Sequence, residues 1–238
     1  MRLDRYIASV TDLSRKDVKR LLKDASVTVD GECVRDPAFQ VNDEHSVELD
    51  GQNLRAPGHR YFMLHKPEGY VCADKDRLHA TVFELMFEDN MERLHVAGRL
   101  DIDTTGLVLV SDDGQWIHRV PSPTSQCFKR YRLQTAELID PRCAKRFAEG
   151  VYLGEEKRRT LPAQLEILGE FEALLSIQEG RYHQVKRMFG AVGNRVVSLH
   201  REAIGGLMLD SDLEEGEYRA LSEDEIDACF AQAGVDEL

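Results

Sequence analysis

Leu3, Tyr6, Ile7 and Val10 recur at helical spacing, and Ser14, ahead of Arg15, Lys16 and Asp17, is an N-cap that opens a second helix burying Val18, Leu21 and Leu22. The pattern then switches to alternation. VTVDGECV (27–34) alternates around Asp30-Gly31, a strong two-residue hairpin signal, and VNDEHSVELDG (41–51) supplies another strand ending in a turn. These elements predict a small α+β module. Gln52 to His59, with Pro57 and Gly58, reads as a linker, so a first domain is expected over 1–57 and a second over 58–238. The second opens with YFMLHKPEGYVC, a strand followed by a turn at Lys66 to Gly69. Further strands are expected at 131–138, 163–168, 173–177 and 195–199, with helices near 81–87, 141–150 and 182–192. That order predicts an α+β fold with a largely antiparallel mixed sheet.

The apolar runs, such as Gly106 to Val110, are far shorter than the roughly 20 residues of a membrane-spanning helix. The opening MRLDRYIASV carries charge where a signal peptide is apolar. A cytoplasmic protein with no membrane association is expected. The five cysteines, Cys33, Cys72, Cys127, Cys143 and Cys229, are odd in number and form no C-x-x-C pair, which points to reduced thiols and no metal site.

A net charge of -12 argues at first against a nucleic-acid partner, because phosphate contacts need Lys and Arg. The average conceals a division. From Asp210 to Leu238 there are 11 acids against Arg219 alone, a local net of -10, which leaves -2 for the other 209 residues. Two basic patches stand out. The first 24 residues hold seven basic groups, Arg2, Arg5, Arg15, Lys16, Lys19, Arg20 and Lys23, against four acids. The stretch 181–201 holds Arg181, Lys186, Arg187, Arg195 and Arg201 and no acid. Patches of this kind suit RNA phosphates.

The stretch HVAGRLDIDTTGLVLVSDDG (95–114) places Asp101 between a glycine-containing turn and a strand. On an extended chain Asp101 and Asp103 face opposite ways, which disfavours the paired carboxylates of a glycoside hydrolase. By residue type alone, an aspartate beside Thr104 and Thr105 is ordinarily a structural Asx-turn. No H-E-x-x-H, dinucleotide-binding glycine loop or Walker loop is present. The Lys157-Arg158-Arg159 run after a glycine turn reads equally as a solvated loop or a phosphate contact.

Two resemblances sharpen this picture. Helix, S-R-K, helix and V-T-V-D-G-E-x-V-R-D, over residues 1–50, resemble an S4-type RNA-binding domain. Four further motifs resemble, in order, those of the pseudouridine synthases of the rRNA small-subunit type. They are L-x-K-P-x-G (64–69), G-R-L-D-x-D-T-x-G-L (98–107), K-x-Y (129–131), and E-G-R-Y-H-Q-V-K-R-M-F (179–189) with V-x-x-L-H-R-x-x-I-G-G (196–206).

The resemblance implies a central active-site cleft in which Asp101 is the catalytic carboxylate, Tyr131 lies against the target uracil and Lys186 pairs with Asp101. It also implies that Leu199 packs beneath the tyrosine. Arg99 and Arg181 are expected to touch substrate. Arg2, Arg5, Arg15, Lys16, Lys19, Arg20 and Arg187 are expected to touch RNA. The reaction needs neither redox nor metal chemistry, so no cofactor and no metal are expected. The implied partner is 16S rRNA or a small-subunit assembly intermediate, with position 516 in conventional rRNA numbering as the target. A monomer is the expected state. The same motif would permit a 23S rRNA target, and the rival from another class is an RNA-binding or ribosome-assembly protein without catalysis.

Overall fold

In the computed structural model, which describes residues 1–11, 13–42, 45–54, 58–125 and 127–231, the first two patterns form α1 (Leu3–Val10) and α2 (Arg15–Lys23). The Ser14 side chain accepts a hydrogen bond from the Asp17 amide at 3.3 Å, which satisfies one of the free donors at the start of α2. The alternating segments become β1 (Val27–Val29), β2 (Glu32–Cys33), β3 (Val47–Leu49) and β4 (Gln52–Asn53). They pair antiparallel in the order β2-β1-β3-β4. Both hairpins turn on Asp-Gly pairs with positive φ, 52° and 81° at Asp30-Gly31 and 51° and 77° at Asp50-Gly51. This is the mirror-image turn whose twist matches the strands. Leu3, Ile7, Val18, Leu22, Val27, Val29, Val41 and Val47 form the core between helices and sheet.

The expected linker from Gln52 to His59 is corrected at its start, because Gln52 and Asn53 are β4 and Leu54 packs on that core. Residues 55–57 of the expected linker lie outside the described residues. The chain divides into two units, Met1–Gly58 and His59–Leu238.

In the second unit, β5 (Tyr61–Lys66), β6 (His95–Ala97), β7 (Thr105–Ser111), β8 (Lys129–Thr135), β9 (Gln164–Ile167), β10 (Glu172–Ile177), β11 (Val196–Ile204), β12 (Leu207–Met208) and β13 (Tyr218–Ala220) form one nine-stranded sheet. Its main path runs β13-β5-β7-β11-β8-β10-β9, with β6 alongside β7 and β12 alongside β11. Among these strands only β7 and β11 pair in parallel. The sheet is therefore mixed and largely antiparallel, in an α+β fold.

β7 explains its own sequence. Its residues alternate between two cores, Val108 and Val110 in one, Leu107 and Leu109 in the other. A strand buried on both faces reads as a continuous apolar run. The first core takes in Phe147 of α4 (Arg142–Ala148) and Phe189 of α5 (Gln184–Ala191), whose rings meet edge to face at 5.2 Å. The second takes in Trp116 and Ile117 of α3 (Gly114–Arg119), and α6 (Glu223–Ala228) closes that side with Ile226 and Ala228. The helix expected near 81–87 is only a 3-10 turn, Val82–Leu85, because Met86 is already extended at φ -110° and ψ 146°. A capping box between Thr81 and Glu84 supports that short turn.

One glycine sets the approach of the parallel pair. Gly106 has φ +104°, and a Cβ built there would lie 2.3 Å from the Arg201 carbonyl oxygen. Gly106→Ala is expected to lower unfolding free energy by about 3 kcal/mol or more, through strain and the separation of β7 from β11. Urea unfolding followed by circular dichroism measures this.

In the first unit Asp4 is fully buried and bound by Arg2, at 3.1 Å through two nitrogens, and by Arg15 at 2.7 Å. The Arg2 hydrogen bonds, working with Arg15 against burial, hold its carboxyl far below the ordinary carboxylate range. A depressed folded pKa gives stability that is complete above the unfolded value, near 3.8, and is lost as pH falls below it. Asp4→Asn is accordingly expected to destabilise at neutral pH, with the gap to wild type narrowing steadily below about pH 4 in unfolding measured across a pH series.

Candidate active site

The turn that carries Asp101 leaves β6 at Gly98 and enters β7 at Thr105. Two buried cations hold it from inside the fold. Lys66, fully buried at the end of β5, donates from Nζ to the carbonyls of Thr104 (2.7 Å), Pro67 (3.0 Å) and Ile102 (3.3 Å). Arg201 on β11, also buried, donates from Nε to Leu107 O (2.7 Å) and from its terminal nitrogen to Gly98 O (3.0 Å). Neither has a carboxylate within ion-pairing distance among the described residues. Burial pushes the Lys66 ammonium pKa down, opposed by the nearby Cys72 sulfur and the Asp103 and Asp101 carboxylates.

Within the turn the Thr104 amide donates to Asp101 O at 3.1 Å, and this tight reversal corrects the expectation that Asp101 and Asp103 diverge. Both carboxylates face one cation instead. Lys186 Nζ on α5 lies 2.5 Å from Asp103 Oδ1 and 3.6 Å from Asp101 Oδ2. The expected Lys186–Asp101 pairing is thus present as the longer of two contacts. Burial raises the Asp103 carboxyl, but the Lys186 hydrogen bond and charge outweigh it and leave the pKa below its ordinary value. Asp103 is outside the cleft lining and its side chain is 54% exposed, so it does not form a second working acid beside Asp101.

Asp101 opens into a cleft lined by residues that include Arg99, Thr104, Tyr131, His183, Lys186 and Leu199. Tyr131 and Leu199 come from the neighbouring strands β8 and β11, and both are largely buried apart from this opening. The Tyr131 hydroxyl makes no hydrogen bond among the described residues. Arg99 is exposed at the rim, with neither hydrogen bond nor ion pair among the described residues.

His183, which the sequence reading left without a role, places Nε2 3.4 Å from Asp101 Oδ1. It does so from a left-handed backbone, φ 48°, an uncommon conformation for a residue other than glycine. The contact is an ion pair when the ring is protonated. No periodicity in the sequence marks this residue, because the backbone reversal just ahead of α5 is what aims it.

Two arginines differ from expectation. Arg181 lines the cleft, but its guanidinium is bound to Glu179 (3.0 Å), Glu156 (3.0 Å) and the carbonyls of Arg158 (3.1 Å) and Arg159 (2.7 Å). Arg187 is turned onto Glu156 (2.5 Å), Leu153 O (2.7 Å) and Tyr182 O (3.0 Å), so it braces a loop instead of standing free for phosphate. In the first unit, Arg2 and Arg15 are bound to Asp4, and Arg20 lies 3.7 Å from Asp17. Arg5, Lys16 and Lys19 are exposed and form no salt bridge among the described residues.

No helix among the described residues is long and apolar enough to cross a membrane. Residues 60–191 match the model of the RNA pseudouridylate synthase family, and residues 1–47 match the S4 domain. The chain is 53% identical over 227 residues to ribosomal small subunit pseudouridine synthase A of Escherichia coli, covering 95% of this chain and 98% of that protein. It is 49% identical over 232 residues to the protein of the same name in Vibrio parahaemolyticus, covering 97% of this chain and all of that one. A crystal structure of a pseudouridylate synthase superposes with a TM-score of 0.70 at 43% identity, covering 96% of this chain and 99% of that chain. The chain belongs to the RNA pseudouridylate synthase family, with an S4 domain ahead of the catalytic one.

Proposed function

We propose that this protein converts a uridine of 16S rRNA, the one conventionally numbered 516, into pseudouridine, with Asp101 as the reacting carboxylate. The observation that carries the assignment is the Asp101 carboxylate in the cleft with Tyr131 and Leu199, 3.6 Å from the Lys186 ammonium. In this isomerisation the uracil N1–C1′ bond breaks, the base turns and a C5–C1′ bond forms. The C5 hydrogen leaves as a proton and N1 gains one. An ionised carboxylate starts the reaction either as nucleophile at C1′ or as the base that promotes elimination. The Lys186 ammonium lies 3.6 Å from the Asp101 carboxylate, and Asp103 fixes the cation in place by its shorter contact.

Tyr131 and Leu199 supply an aromatic face and an aliphatic floor for the uracil, and the Tyr131 hydroxyl is suited to relay the C5 proton, accepting it as its own proton passes to water. A target uridine must leave its stack to reach Asp101, at a cost of a few kcal/mol. Arg99, exposed and unpaired at the rim, is suited to hold the extruded nucleotide's phosphate. The free cations Arg5, Lys16 and Lys19 of the S4 domain are suited to backbone contacts elsewhere on the RNA. The relatives named above carry the ribosomal small subunit in their names, which supports a substrate of 16S rRNA or its assembly particle. A monomer acting in the cytoplasm fits this role.

Tritium release from 5-tritiated uridine in 16S rRNA transcripts and assembly particles tests the reading. Wild type is expected to release label and Asp101→Asn to release none. Release from 23S rRNA alone would move the target, and binding without release from either RNA would favour a non-catalytic role. In the same assay Lys186→Met is expected to lower kcat by about 10²- to 10³-fold, with Lys186→Arg retaining most activity because the charge remains. Lys66→Met leaves three carbonyls, that of Thr104 buried and those of Pro67 and Ile102 partly so, without their donor, and a loss of about 1–3 kcal/mol in unfolding free energy is expected alongside a fall in kcat.

A further inference from the structure

Beside the cleft stands a group of residues that the reaction itself does not use. The Tyr182 side chain is 76% exposed, although its ring is large and mostly apolar. One face stacks on His183 at 3.8 Å between ring centroids and 19° between planes, and the opposite face is open to solvent. Because His183 in turn touches Asp101, the two stacked rings lead outward from the reacting carboxylate.

The Arg181–His183 turn is tied firmly to the loop that carries Lys157 and Arg158. Arg187 joins the Tyr182 carbonyl to Glu156 and Leu153 O, and Arg181 joins Glu156 to the carbonyls of Arg158 and Arg159. Lys157 and Arg158 are exposed and have no acidic partner among the described residues. With Glu156 and Arg181 they line a second, open depression, and Arg181 borders both this depression and the cleft. An exposed aromatic face stacked on the cleft-lining His183 and two free cations on the loop braced to the same turn offer the two chemistries of a nucleotide, one for its base and one for its phosphate. Single-stranded RNA is held by this combination, bases on aromatic rings and phosphates on basic groups.

We propose that Tyr182, Lys157 and Arg158 form a subsite for a nucleotide adjacent to the target uridine, with the base stacked on the open face of Tyr182 and the phosphate held by the two cations. The proposal rests on the synthase reading above and adds to it a site for the flanking RNA. Tyr182 acts by stacking, so its hydroxyl is dispensable, and the braces from Arg181 and Arg187 keep the platform in place before RNA arrives.

The test is steady-state tritium release by wild type, Tyr182→Ala and Tyr182→Phe on 16S rRNA ligated around a synthetic segment that carries an abasic residue on one or the other side of the target. Tyr182→Ala is expected to raise KM about 10- to 100-fold with kcat little changed, and Tyr182→Phe to restore the wild-type KM. One of the two abasic substitutions should raise the KM of wild type but not that of Tyr182→Ala, since the base and the ring belong to one contact. Lys157→Ala and Arg158→Ala should each reduce the dependence of log affinity on log salt by about one. An unchanged KM for Tyr182→Ala, or an abasic penalty equal in both proteins on both sides, would overturn the subsite. If wild type releases no label from any rRNA, the synthase reading fails instead. Dissociation constants of the same variants for the same RNAs then decide the subsite, by the same pattern of weakening.

Discussion

The position of Asp101 depends on two buried cations that bond to backbone carbonyls. Lys66 takes the carbonyls of Ile102 and Thr104, and Arg201 takes that of Gly98, so the turn is gripped at both ends. A buried charge with no counter-ion is costly unless its donors are satisfied. Here carbonyl dipoles satisfy them, and the positive charge stays available to the carboxylates of the same turn. One arrangement therefore shapes the turn and sets two positive charges beneath it. Gly106 makes it possible sterically, since without a side chain β7 can lie directly on the Arg201 backbone.

Charge is shared out around this centre in a way that residue counts conceal. Lys186 serves two carboxylates, with the shorter contact to the one outside the cleft. Arg181 and Arg187 are absorbed by Glu156, Glu179 and carbonyls, and Arg2 and Arg15 by Asp4. A guanidinium engaged in two or three hydrogen bonds is a brace, and only cations without such partners remain for phosphate. Much of the basic character of the 181–201 stretch thus holds the protein together. Arg99, Lys157, Arg158, Arg5, Lys16 and Lys19 are among those left free.

The sequence by itself determined the elements whose causes are local. The Ser14 cap, the Asp30-Gly31 hairpin, the turn at Asp50-Gly51 and the apolar β7 strand follow from the side-chain chemistry of a few neighbouring residues, and the structure has each of them. The Asp101 turn, Tyr131, Leu199 and Lys186 were legible through ordered motifs, and they converge on one cleft. Where the local signal was weak it misled: the 81–87 segment has helix-like spacing but forms only a 3-10 turn, and Gln52-Asn53 reads as linker but pairs with β3.

Only the tertiary structure decided which way the charged groups point and whom they meet. Asp103 turns towards Lys186 because a hydrogen-bonded reversal replaces the extended chain, His183 reaches Asp101 because one residue takes a left-handed backbone, and Lys66 is buried because β5 ends beneath the turn. The partners lie far apart along the chain, 38 positions for Lys66–Thr104, 82 for Asp101–His183, 83 for Asp103–Lys186 and 85 for Asp101–Lys186. Hydrophobic periodicity records which face of an element is buried. It carries no record of the long-range pairing by which a buried cation or a turned carboxylate finds its partner, and that pairing is set when the sheet closes.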